Sequence, residues 1–175
     1  VNSSIANQAD GVFPTPARLG AASGIIMHIL RLFLGCVFVL SAAAKLPDPG
    51  GFYAEVIAFD LIGPNLTEWV AYGVPVFELL LAFCLFSGIA LGGALWLSLV
   101  ALLGFTALHV RVVALGQSLD CGCFGSTTPI GYATVTRNTL FAVAGLLALT
   151  IYIRQARRDN APARQTLDPP PPKVR

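Results

Sequence analysis

Residues 69–110 read WVAYGVPVFELLLAFCLFSGIALGGALWLSLVALLGFTALHV. Two apolar runs, about Trp69 to Phe86 and Ile89 to Val110, are separated only by Ser87 and Gly88. Each is close to the roughly 20 residues that cross a bilayer as an α-helix. Two further runs of that length flank them, about Gly24 to Ala44 and Ala133 to Ile153. Composition agrees: the 175 residues are 55% hydrophobic and 11% charged, with mean hydropathy +0.73. Soluble domains carry about a quarter charged residues. The expected fold is therefore all-α, a bundle of four transmembrane helices in a lipid bilayer. The net charge of +2 is too small to suggest nucleic acid, and four cysteines are too few for a disulfide scaffold.

The basic residues set an orientation. Arg154, Arg157, Arg158 and Arg164 follow the fourth run and Arg18 precedes the first. Positive charge marks the cytoplasmic side, and four spans return both termini to one side. The expected location is the bacterial inner membrane, multi-pass, with both termini cytoplasmic. Residues 1–22 read as a flexible cytoplasmic lead-in, 23–154 as the membrane domain, and 155–175, ending DPPPPKVR, as a disordered proline-rich tail. A cleaved signal is a competing reading, since SAAA at 41–44 and LFLGC at 32–36 resemble processing sites. Against it, Arg31 lies inside the run, and cleavage would leave three spans in conflict with the charge rule. In the outer loop, Phe52, Val56, Phe59 and Ile62 fall near helical spacing. They suggest a short interfacial helix over the mouth of the bundle or a loop packed on the helix ends.

The second outer loop, between spans three and four, contains DCGCFG at 120–125. On this topology Cys121 and Cys123 face an oxidising, periplasmic compartment. A Cys-x-Cys disulfide closes a very small ring, and strained, exposed disulfides exchange readily. His109, Arg111, Arg137 and Lys45 close or open spans on that side, and positive neighbours raise the thiolate fraction; Asp120 opposes this. The readings are a redox-active dithiol, with Cys121, Cys123, His109 and Arg137 as the catalytic set, a metal site with His109 as third ligand, or a structural disulfide or free thiols. The metal reading lacks a fourth donor, and no metal is expected. Cys36 and Cys84 lie within spans at unmatched depths and read as small packing residues.

Arg31 and Glu78 are charged residues inside spans one and two. Counted by helical rise they stand about 10 and 14 Å from the inner surface, which suggests an ion pair fixing the two spans. The alternative is a polar element of a proton path or a quinone headgroup site, with His28 one turn below Arg31. Pro75, one turn before Glu78, is placed to kink span two.

Arg31, SAAAKLPDPGGF at 41–52, VPVFELLLA at 74–82, DCGCFG at 120–125 and RNTLF at 137–141 together resemble the MauE family, in the wider DoxX-like membrane group, over about residues 25–155. The resemblance implies a four-helix inner-membrane protein acting with a periplasmic thioredoxin-like partner. In that family the client is the disulfide-rich β subunit of methylamine dehydrogenase. It maps Cys121 and Cys123 onto the thiol pair and Lys45, Glu78 and Arg137 onto its polar positions. The sequence reading is thus a membrane protein supporting thiol–disulfide exchange in the maturation of a disulfide-containing client. Arg31 and Glu78 are structural or serve a membrane quinone as cofactor. One alternative is a quinone-linked oxidoreductase like DsbB or the vitamin K epoxide reductases, although those use two cysteine pairs. Another is a non-enzymatic assembly subunit. DoxX-like kinship also permits a subunit of a sulfur-oxidising quinone reductase.

Overall fold

The computed structural model describes residues 16–117 and 130–165, and within them side chains from 23 to 158. Five helices follow in order: α1 (Pro16–Lys45), α2 (Pro49–Ala58), α3 (Pro64–Ser87), α4 (Leu91–Ala114) and α5 (Tyr132–Gln165). All but α2 are long and apolar enough to cross a membrane. Helix α1 starts inside the segment expected to be flexible, and α5 runs into the one expected to be disordered. Residues 166–175, with the proline run, lie outside the described residues.

The turns follow from local chemistry. Asp48 caps α2, its Oδ1 accepting from Gly51 N–H at 2.9 Å, and Pro49 occupies the first helical position, where a missing N–H costs nothing. Pro64 opens α3 in the same way. Gly88 closes α3 at φ +77°, a left-handed conformation that glycine adopts without strain. The α3–α4 turn can therefore be as short as the sequence makes it.

The long helices run antiparallel to their neighbours. Gly35 of α1 lies against the Phe86 ring of α3, and Gly92 of α4 against Tyr152 of α5. Phe33 of α1 meets Phe141 of α5 edge-on, with ring centroids 5.7 Å apart. The core is made of Leu34, Phe38, Leu81, Leu85, Leu95, Leu99 and Leu149 with small alanines between them. Only 22–39% of each span's apolar window is buried inside the protein. The rest, including Ile25, Ile29, Leu40, Phe83, Trp96 and Leu140, points outward. Soluble monomers do not expose apolar surface on that scale, and a bilayer removes the cost.

The N-terminal end of α1 and the C-terminal end of α5 lie at one end of the bundle. At the other end sit α2, the C-terminus of α4 and the N-terminus of α5. The loop helix foreseen around Phe52 and Val56 is present as α2, with no buried residue of its own. Its C-terminal side is held to α4 by Arg111 Nη1 donating to the Phe59 carbonyl at 3.1 Å. Phe59 also packs on Val112 and Ile130.

Candidate functional site

The last turn of α1 carries Ser41 and Lys45, one helical turn apart and so on one face. Side chains on a helix slant back toward its N-terminus. Lys45, at the very end of α1, therefore extends down along Ser41 into the bundle instead of out to the rim. There it meets Glu78 of α3: Nζ is 2.8 Å from Oε1 and 2.9 Å from Oε2. It also donates to Ser41 Oγ at 2.5 Å, and Ser41 Oγ donates to Glu78 Oε1 at 2.9 Å. Both charged side chains are 2% exposed. Phe52 of α2 and Phe105 of α4 stand with ring centroids 5.4 and 5.8 Å from Nζ, a cation–π arrangement that is stronger where water is excluded. Helix α2 thus shields the ammonium with an aromatic side chain.

A second buried pair lies between α4 and α5. His109 is 2% exposed and Asn138 5%, with His109 Nδ1 and Asn138 Nδ2 2.8 Å apart. In this orientation the Asn138 amide N–H donates and His109 Nδ1 accepts. Between the two pairs is a cavity of about 30 Å³ lined by Phe38, Ser41, Glu78, Phe105, Asn138 and Phe141, among others. That is room for about one water molecule. The Ser41 hydroxyl, the Glu78 carboxylate and the Asn138 amide border it on otherwise apolar walls, so the ion pair and the His109–Asn138 pair flank one small cavity inside an apolar bundle. Pro75, buried one turn before Glu78, cannot donate to the Ala71 carbonyl, yet α3 continues through it.

Several expected placements change. Glu78 does not pair with Arg31. It pairs with Lys45, because the inner ends of the two spans are not level: Gly88, at the end of α3, lies beside Arg31, so Glu78, ten residues before Gly88, stands at the height of Ser41, ten residues after Arg31. Arg31 lies about 15 Å away along α1 by helical rise, at the opposite end of the bundle. A Cβ placed on Gly88 would stand 2.9 Å from its Nη1, and its Nε is buried without a hydrogen-bond partner. Arg31 and Glu78 are therefore not brought together. Lys45 and His109, expected at the rim, are buried. Arg111 is exposed and holds α2. Arg137 is half-buried on α5, about 100° around the helix from Asn138. His28 is exposed, with Nδ1 2.9 Å from the Gly24 carbonyl. Cys36 and Cys84 are free thiols. Cys121 and Cys123 lie outside the described residues. Among the described residues no three His, Cys, Asp or Glu side chains cluster to hold a metal ion.

Ser41, Phe52, Phe105 and Asn138 belong to the site but have no prominence in the sequence as a site set. The one signal available was spacing: Ser41 precedes Lys45 by one turn, and Asn138 falls one residue after Arg137.

These features define a class, a four-span α-helical bundle of membrane type with an ion pair sequestered at one end. The model of the family Methylamine utilisation protein MauE matches residues 23–151, three spans whole and most of the fourth, and the chain belongs to the MauE family. Among similar proteins, the Methylamine utilization protein MauE of Paracoccus denitrificans is 30% identical over 129 residues, covering 72% of this chain and 69% of that protein. No solved structure matches.

Proposed function

We propose that the protein is a multi-pass inner-membrane component that supports thiol–disulfide exchange on the periplasmic side, with Cys121 and Cys123 as the exchanging pair. Its partner would be a thioredoxin-like protein and its client a disulfide-containing protein. The name of the Paracoccus relative makes methylamine utilisation the first setting to test. In the exchange, a thiolate of the pair attacks the partner's disulfide and forms a mixed disulfide. The second cysteine then displaces the partner, which leaves as a dithiol, and the pair is left oxidised; the reverse direction runs through the same mixed disulfide. Each cycle moves two electrons and two protons.

One observation carries the reading. Val112, fully buried near the end of α4, packs against Ile130, just before α5. The twelve residues 118–129, which include both cysteines, are thus tied at both ends to the end of the bundle that holds the Lys45–Glu78 and His109–Asn138 pairs. An ion pair kept inside a membrane span is costly and marks function by default. Buried hydrogen-bonding side chains at that end are the groups through which protons could reach an exchanging thiol pair.

The test is thiol trapping in intact cells with a maleimide that adds mass and does not cross the inner membrane. The expected result is a pair that cycles with mild reductant, and a mixed disulfide with a second protein in Cys121→Ser or Cys123→Ser. A pair that stays oxidised through strong reductant, with no mixed disulfide in either variant, overturns the reading.

A further inference from the structure

At the end of the bundle formed by the start of α1 and the end of α5, a pocket of about 210 Å³ opens between these two helices. It is lined by Ser23, Ile151, Arg154, Gln155 and Arg158. We infer that this pocket binds a phosphate-bearing anion, namely the headgroup of an anionic phospholipid. The inference does not depend on the thiol chemistry, which belongs to the opposite end.

Arg154 and Arg158 are one turn apart on α5, so their guanidinium groups address one side of the helix. Among the described side chains neither takes part in an ion pair, and no lining residue carries a carboxylate. Two guanidiniums offer ten N–H donors in planar forks that match phosphate oxygens. The neutral wall is also polar: Gln155 Nε2 donates to Ser23 Oγ at 3.4 Å. Ile151 supplies an apolar side. The volume equals that of roughly seven liquid waters at about 30 Å³ each, enough for a phosphodiester group and too small for a large organic cofactor.

Position favours a lipid over a soluble anion. The first apolar run begins at about Gly24 and the fourth ends at about Ile153, so a pocket lined by Ser23, Ile151, Arg154, Gln155 and Arg158 lies where hydrocarbon meets water. The same two helices expose Ile25, Ile29 and Leu147 on the membrane side, an apolar wall for acyl chains. Basic pockets between transmembrane helices are recognised sites for anionic headgroups.

The experiment uses the full chain in nanodiscs. Phosphatidylcholine discs containing a minor fraction of phosphatidylglycerol are compared with discs of phosphatidylcholine alone, with or without inorganic phosphate. Lipid retained after gentle detergent extraction is counted by native mass spectrometry. Retained phosphatidylglycerol is expected on the wild type. Retention should fall about fivefold for Arg154→Gln or Arg158→Gln and about 25-fold for both, from the usual contribution of one basic residue to anionic-lipid binding. Arg157→Gln, which keeps the pocket lining intact while removing the same charge, should change retention by less than about twofold. An equal loss in Arg157→Gln reduces the effect to net charge and overturns the site. Loss of bound lipid on adding millimolar inorganic phosphate, with phosphate protecting the protein in phosphatidylcholine discs, keeps the anion site and reassigns it to a soluble phosphate. Unchanged retention in the double variant, with folding confirmed by its helical circular dichroism, also overturns it.

Discussion

Substituting Lys45 with Met removes the cation from a site with no other ammonium or guanidinium in hydrogen-bonding reach of Glu78 among the described contacts. Glu78 is 1% exposed. After the substitution its carboxylate keeps one partner, the Ser41 hydroxyl at 2.9 Å, in place of three interactions. Breaking a buried ion pair from one side costs about 3–5 kcal/mol, because a charge remains buried without compensation. At about 2–4 °C per kcal/mol for a chain of this size, that lowers Tm by roughly 6–20 °C. Glu78→Gln leaves the ammonium without its counter-charge instead and belongs in the same range, softened by the two phenylalanine rings. Replacing both partners, Lys45→Met with Glu78→Leu, leaves neither charge, and such swaps are neutral or stabilising by about 1–4 kcal/mol. The double variant should therefore unfold no earlier than either single one. The assay is thermal and denaturant unfolding in a mild detergent, completed as a double-mutant cycle with a coupling of several kcal/mol. If Lys45→Met costs less than about 1 kcal/mol, or the two losses simply add, the ion pair does not hold α1 to α3, and the account of the site fails. If the double variant is stable but inactive in client maturation, the pair is retained for function and not for folding.

Other predictions follow from single contacts. Asn138→Leu removes the donor to His109 Nδ1 and should cost about 1–3 kcal/mol; if the pocket serves the exchange, the rate at which the CGC pair forms its mixed disulfide should also change, read by timed thiol trapping. Asp48→Ala deletes the α2 cap, worth about 0.5–2 kcal/mol, and hydrogen exchange should rise first in 49–58, with no change at Ser87–Leu91. Gly88→Ala places a Cβ at φ +77° and against Arg31 Nη1. It should lose about 1–2 kcal/mol, while Gly88→Asn, which tolerates the left-handed region better, should lose less by the same unfolding assay. Arg111→Ala frees the Phe59 carbonyl from its tie to α4 and should increase protease cutting within 59–63 without changing the helix content measured by circular dichroism.

The sequence by itself determined the four spans, their order and the short turn at Gly88. Each rests on local quantities: run length, a glycine able to take positive φ, prolines at first helical positions. It also carried the family, since all the residues quoted for the resemblance fall within the matched region. Helix α2 was visible from the spacing of Phe52 and Val56, although Phe59, of the same pattern, lies just past its end. Partner choice was not legible. Depth estimates taken from the edges of apolar runs put Arg31 and Glu78 side by side. The inner end of α3, at Gly88, lies level with Arg31 and not with the start of the first apolar run, which lifts Glu78 to the level of Ser41. Lys45 looked like a rim charge because it ends an apolar run; only the slant of helical side chains, with α2 folded over the end, makes it a buried one. Asn138 was overshadowed by Arg137 because nothing in a linear sequence says which of two adjacent residues faces α4. The tertiary structure decided these points. A buried charge is satisfied by whatever opposite group the packing brings within about 3 Å, and that distance is set by the relative shift and rotation of whole helices, quantities that no local pattern encodes.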